Sequence, residues 1–275
     1  MDSIAVNTFL FFVAWGVLWL PLAIPLAIFL KWRPGQPIEP AQKIPLLASL
    51  YLLAPLVIWG ASQLEASSFA AYGMVWRRSL VISLLLGLGL ALVGLGLLVG
   101  VQQALGWTQL KRNLTSEVAA EVNPPPALVQ IALPLLGLAL WIGWTEELVF
   151  RGFLVNQLHQ GYGWVTTAAI ASAIFALLHL VWEGRQNIPQ LPGLWLMGMV
   201  LVLARWGDGG QLGLAWGLHA GWVWGIASLE TAEIFVPTDK GKTWLIGRVG
   251  QPLTGAMAML LMLATAGVIW QIAKP

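Results

Sequence analysis

The sequence predicts an all-α protein: a polytopic membrane bundle of about eight transmembrane helices with one interfacial amphipathic helix. Three observations lead there. Apolar residues make up 58% of the 275-residue chain and charged residues only 9%, against about 25% charged in a soluble domain. The apolar residues fall in runs of span length, separated by short polar or proline-rich stretches. Seventeen tryptophans suit the aromatic belts at the two membrane–water interfaces, with a surplus for packing inside a bundle. A formal charge of +2 is too small to imply a nucleic-acid partner. The chain has no cysteine, which removes disulfides, cysteine metal sites and thiol nucleophiles.

The first run, Ala5 to Leu30, is too long for a signal-peptide core and follows Asp2 rather than a basic residue, so it reads as a retained span. Pro21 and Pro25 each remove a backbone donor and are expected to kink it. The second span is Ile44 to Leu64 and the third Ser79 to Val101. In the third, Gly96 and Gly100 form a small-residue pair expected to admit a neighbouring helix. Trp107, Leu110, Leu114, Val118 and Val122 then recur at spacings of three and four, with Lys111, Arg112, Glu117 and Glu121 on the other faces. This is the interfacial helix, broken by three prolines at 124–126. The fourth span starts at Ala127, reaches about Phe150 and is free to continue to Leu158, because no breaker precedes Gly161. Trp164 to Trp182, Leu191 to Trp206 and Gln211 to Leu229 are the fifth to seventh. A polar loop from Thr231 to Gly250 leads to the eighth, Gln251 to Gln271. The chain divides into 1–126, the N-terminal helices and interfacial helix, and 127–275, the core helices, all in one membrane domain. With odd-numbered loops cytoplasmic, the Lys and Arg residues split nine to five, favouring an N-terminus outside. No repeat relates the halves, which counts against a transporter of inverted repeats.

The chemistry collects where charge interrupts the apolar runs. Glu146, Glu147 and Arg151 close the fourth run. A charged side chain near the centre of a spanning helix costs roughly 2.5–3.5 kcal/mol on insertion scales, so such residues need a partner, a proton or water. Glu147 and Arg151 are four apart and share a helix face, whereas Glu146 points about 100° away. One carboxylate can be neutralised and the other left for chemistry. The alternative is a helix end whose three charges are simply solvated by headgroups. Of the three histidines, His179 and His219 sit inside apolar runs, and His159 reads as a loop residue. A lone histidine in a tryptophan-rich helix more often bonds a carbonyl or an indole than performs catalysis. Converging on one pocket, Glu146, His179 and His219 could activate water by general base catalysis. The same three could instead hold a divalent metal such as zinc, assembled from three helices, since no HExxH pair is present.

The pattern Glu146-Glu147-x-x-x-Arg151, then Phe175-x-x-x-His179, then His219 in a later run, resembles the CAAX-protease and bacteriocin-processing (CPBP, or Abi) family of intramembrane proteases. The resemblance covers about Ala127 to Leu229. It implies a helix bundle in a prokaryotic-type plasma membrane that cleaves a peptide or protein substrate near the bilayer surface. It further implies Glu146 as base with His179 as partner, Glu147 and Arg151 orienting the site, and His219 stabilising the oxyanion. The family is described both as metalloprotease and as glutamate-dependent. One departure stands out: the family commonly has Asn four residues after the last histidine, and here that residue is Val223. Losing one oxyanion donor typically costs about 10²–10³ in rate, unless an indole such as Trp222 or Trp224 substitutes. Two other readings compete with an endopeptidase: a non-catalytic relative binding membrane proteins through the same cavity, and a proton-coupled transporter.

Overall fold

The computed structural model describes residues 2–33, 35–36, 38–65, 67–110, 128–232 and 235–273. Within them the all-α bundle is present, and every apolar run forms a helix. These are α1 (Asp2–Phe29), α2 (Pro40–Leu64), α3 (Arg78–Ala104), α4 (Leu128–Glu146), α6 (Trp164–Glu183), α7 (Leu191–Gly207), α8 (Gly213–Thr231) and α10 (Ala256–Ile272). Two short helices, α5 (Val155–His159) and α9 (Thr243–Ile246), complete the set. The helix of α1 continues through Pro21 and Pro25.

Among the described residues, six stretches are long and apolar enough to cross a membrane: Ile4–Phe29, Ala41–Leu64, Arg78–Ala104, Gln130–His159, Trp164–Glu183 and Arg185–Gly207. That is fewer than the eight spans expected. α10 is apolar but shorter, and α8 is diluted by glycine, tryptophan and His219. The outer faces of the bundle carry Phe9, Ile28, Val81, Leu97, Val165 and Val181, all largely exposed, which is a surface for lipid tails rather than water. The protein is an integral membrane protein.

α8 is central. Its most extensive partner is α3, followed by α4, and it also touches α7. The α3–α8 approach depends on glycine, but not on the pair singled out from spacing. A side chain at Gly96 or Gly100 would meet nothing within 4 Å, so neither admits a neighbour. A Cβ at Gly87 would instead come within 2.8 Å of the Leu218 amide, and one at Gly217 within 2.7 Å of the Leu88 amide. Backbone lies against backbone there, as small residues permit.

Most of the expected interfacial helix, 111–127, lies outside the described residues. Its start is not helical. After α3, Gly106 turns the chain with a positive φ of 68°, and Thr108–Leu110 forms β1. β1 pairs antiparallel with β2 (Phe235–Pro237), Thr108 facing Pro237. Cross-strand bonds satisfy the backbone that a helical turn would otherwise have satisfied.

The connections sort into two ends. At one, the β1–β2 ribbon joins the chain after α3 to the chain after α8. There Lys43 pairs with Glu183 and Gln251 donates to the Gln186 carbonyl. At the other, the Leu212 amide donates to Gly73 and Asn156 to Ala71. Successive long helices therefore run alternately through the bundle.

Candidate active site

The carboxylates lie where the helix changes type. α4 ends at Glu146, and Glu147–Leu154 continues as a π-helix before α5 resumes the α form. All eight π-helical residues are buried. Bonds from residue i to i+5 widen the turn, and such segments are rare and concentrate at functional positions. Two neighbours hold this one. Gly152 faces the loop after α2, where an added Cβ would come within 3.1 Å of the Tyr72 carbonyl. Arg205 of α7, itself buried, donates through Nη1 to the carbonyl of Arg151 and, at 3.4 Å, to that of Gly152. Its Nη2 reaches Asn156 Oδ1 at 2.7 Å and its Nε the Gly210 carbonyl at 3.2 Å. These bonds run from the π-helix to the loop end of the bundle. At that end Tyr72 and Gln157 both donate to Glu65. Burial first, then the Glu65 charge, pushes the Tyr72 hydroxyl up to about 12, so it stays a donor at physiological pH.

Headgroup solvation does not describe the site. Glu146 is 7% exposed, Glu147 0%, Arg151 1% and His219 2%. Arg151 Nη1 donates to Glu147 Oε1 at 2.9 Å, and its guanidinium carbon sits 4.2 Å from the centre of the Phe175 ring. The expected Glu147–Arg151 pair is present, leaving Glu146 on another face. His219 lies between the carboxylates: Nδ1 is 2.7 Å from Glu147 Oε1 and Nε2 is 3.5 Å from Glu146 Oε2. A carboxylate paired with arginine only accepts, so Nδ1 is assigned the proton. Glu146 Oε1 accepts a hydrogen bond from the hydroxyl of Tyr51 on α2. Oε2 of Glu146, Oε2 of Glu147 and Nη2 of Arg151 have no hydrogen-bond partner among the described residues.

His179 stands apart from this cluster. Its Nδ1 lies 2.8 Å from the Phe175 carbonyl one turn back, and its ring packs edge-on against Phe175 at 4.6 Å. Phe175 also lies edge-on to His219, at 6.0 Å, so one aromatic ring packs against both histidines. The contact that Glu146 makes with a histidine is to His219, while the Nδ1 of His179 is held by its own helix and its Nε2 is left free among the described residues. Among the described residues no group of three or more His, Asp or Glu is arranged to hold a metal ion. The zinc set of Glu146, His179 and His219 is not gathered in this arrangement, and no step below runs through a metal. His159 ends α5 rather than lying in a loop; its Nδ1 is 3.1 Å from the Tyr162 carbonyl and its ring lies on Trp164.

Tyr51 and Arg205 are site residues that sequence reasoning missed. Trp224 cannot replace the absent Asn, because its indole donates to the Ala132 carbonyl at 2.7 Å. Trp216 is likewise committed to Leu140. Between α1, α2 and the end of α6 runs an apolar crevice of about 630 Å³, lined by Trp19, Leu46 and Trp182 among others. Trp182 is three residues from His179 on α6, and Leu46 five from Tyr51 on α2. Glu183, paired with Lys43, also lines the crevice.

Residues 128–225 match the Rce1-like family, described as type II CAAX prenyl endopeptidase Rce1-like. Over that segment the site-bearing helices are similar to the CAAX-type prenyl endopeptidases. The matched segment contains Glu146, Glu147, Arg151, Phe175, His179 and His219, the residues of the pattern read from the sequence. No curated protein and no solved structure matches the chain.

Proposed function

We propose that the protein is an intramembrane endopeptidase of the CAAX-prenyl type, hydrolysing a peptide bond with water activated at Glu146. The observation that carries this reading is the buried chain Arg151–Glu147–His219–Glu146. Arg151 fixes Glu147, Glu147 orients His219 through Nδ1, and Nε2 presents a lone pair towards the unpartnered Glu146 Oε2, 3.5 Å away. A water held by Oε2 and Nε2 gives its proton to Glu146 as its oxygen bonds to the substrate carbonyl carbon. When the C–N bond breaks, Glu146 returns that proton to the leaving amine, acting as base and then as acid. His179, anchored through Nδ1, lies on the same helix as the crevice wall residue Trp182, and the apolar walls of the crevice suit the hydrophobic part of a membrane-anchored substrate. The reading further has eight crossings of a plasma (inner) membrane, with the N-terminus outside.

The test uses purified protein in nanodiscs and an internally quenched peptide with a farnesylated cysteine three residues before its C-terminus. Wild-type protein is expected to cleave it and Glu146→Ala to lose the activity. Unchanged turnover in Glu146→Ala would remove the base. A second reading, a non-catalytic relative that binds membrane proteins in the same cavity, is favoured by Val223, which offers no donor one turn beyond His219. It predicts that wild-type protein binds the peptide without cleaving it.

A further inference from the structure

The reaction needs a donor for the negative charge that develops on the carbonyl oxygen, and most polar groups around Glu146 are already committed. Val223 has no donor. The indoles of Trp216 and Trp224 are bonded to Leu140 and Ala132. Nδ1 of His179 is held by Phe175 and Nδ1 of His219 by Glu147. Arg151 lies on Phe175 with its Nη1 paired to Glu147, and its Nη2 is buried without a hydrogen-bond partner among the described residues. The Trp144 indole is buried without a partner, but two residues from Glu146 it points about 200° round the helix from it. Facing Glu146 from a different helix is the hydroxyl of Tyr51, whose side chain is buried and whose ring lies edge-on to Trp141.

We propose that Tyr51 is a catalytic residue, the hydrogen-bond donor to the oxyanion of the tetrahedral intermediate. The proposal rests on the peptidase reading with Glu146 as base. The two oxygens of Glu146 divide the work. Oε2, facing His219, takes the water proton; Oε1 holds the Tyr51 hydroxyl in place. The attacking water sits on Oε2, and reacting atoms in a productive complex are about 3–3.5 Å apart. A carbonyl entering from the α2 side thus brings its oxygen close to the Tyr51 hydroxyl, within the roughly 2.7–3.1 Å such donors need. Protonation of Glu146 in the attack step removes the charge that held the Tyr51 O–H, at the moment negative charge appears on the carbonyl oxygen. The hydroxyl turns from Oε1 to the oxyanion, and it turns back when the C–N bond breaks and Glu146 gives up its proton. Tyr51 keeps its own proton throughout. α2 is thereby a working wall of the site, although no ionisable motif marks it.

The experiment compares wild type, Glu146→Ala, Tyr51→Phe and Tyr51→Phe combined with Val223→Asn, using the same farnesylated peptide in nanodiscs. A phosphinate analogue of that peptide mimics the tetrahedral intermediate. Tyr51→Phe keeps the ring and should unfold at the wild-type temperature. Its kcat should fall about 10²–10³-fold with KM nearly unchanged. Phosphinate affinity should fall by the same factor as kcat/KM. Asn at 223, on the His219 face, should restore at least tenfold of the lost kcat. A residue that merely packs would change KM or melting temperature and leave phosphinate affinity intact. If Glu146→Ala is inactive while Tyr51→Phe keeps its kcat, or loses kcat with phosphinate affinity intact, the Tyr51 proposal falls and the peptidase reading stands. If wild type fails to cleave, or Glu146→Ala still cleaves, both fall together.

Discussion

Glu147 and Arg151 are four residues apart and shielded from solvent, so removing either leaves the other's charge stranded. Breaking such a pair on one side costs about 3–5 kcal/mol, whereas replacing both partners with apolar groups can be nearly neutral. Arg151→Met is therefore expected to lower unfolding stability by about that amount, and Glu147→Leu with Arg151→Met to recover most of it while remaining inactive. Denaturant titration of the three proteins, alongside peptide cleavage, checks both halves. At this scale the sequence is most informative where a residue type is out of place. Two glutamates, an arginine and a histidine inside apolar runs announce themselves, because lipid tolerates them only when paired. Tyr51 carries no such signal: a tyrosine in an apolar helix is ordinary, and its bond to Glu146 spans 95 residues of chain. His179 is conspicuous as the glutamates are, and its own helix anchors it through Nδ1.

The π-helix of Glu147–Leu154 has no periodic signature, since the apolar pattern around it fits an α-helix as well. Its support comes from Arg205, which the charge tally counts on the minority side but the fold buries in α7. Each hydrogen bond involving a charged group contributes about 1.5–3 kcal/mol. Arg205→Met should lose at least one such contribution and speed hydrogen exchange of the amides in 150–156, while exchange in α3 stays unchanged. Equal acceleration in both segments would mean global destabilisation rather than a local hold on the π turns. The α3–α8 seam gives a second test at this scale. Gly217→Val pushes a side chain into the backbone of Leu84 and Leu88; overpacking of this kind costs about 1–3 kcal/mol, to be read from thermal unfolding. Gly96→Val, on an open face, should melt as wild type does. Spacing shows which glycines could meet a neighbour, but not which face is turned towards one; that is why Gly96 and Gly100 are misread from the sequence and Gly87 is missed.

Across the whole molecule, helix positions are legible because span length and apolarity are imposed by the bilayer, while the β1–β2 ribbon is not, because it joins segments more than 100 residues apart. The charge tally also sharpens. Arg151 and Arg205 are buried inside helices and drop out of the five residues on the minority side, leaving nine against three. A chain without cysteine makes orientation easy to read: Trp76→Cys should react with a membrane-impermeant maleimide in intact cells, and Gln36→Cys only after permeabilisation. The reverse pattern would invert the topology. α8 has a consequence for biogenesis. The helix that carries His219 is too polar to rank among the six stretches apolar enough to partition alone, and its glycines fit only against α3. It is expected to enter the bilayer late, chaperoned by segments already synthesised, so that a half-made chain holds no assembled Glu146–His219 cluster.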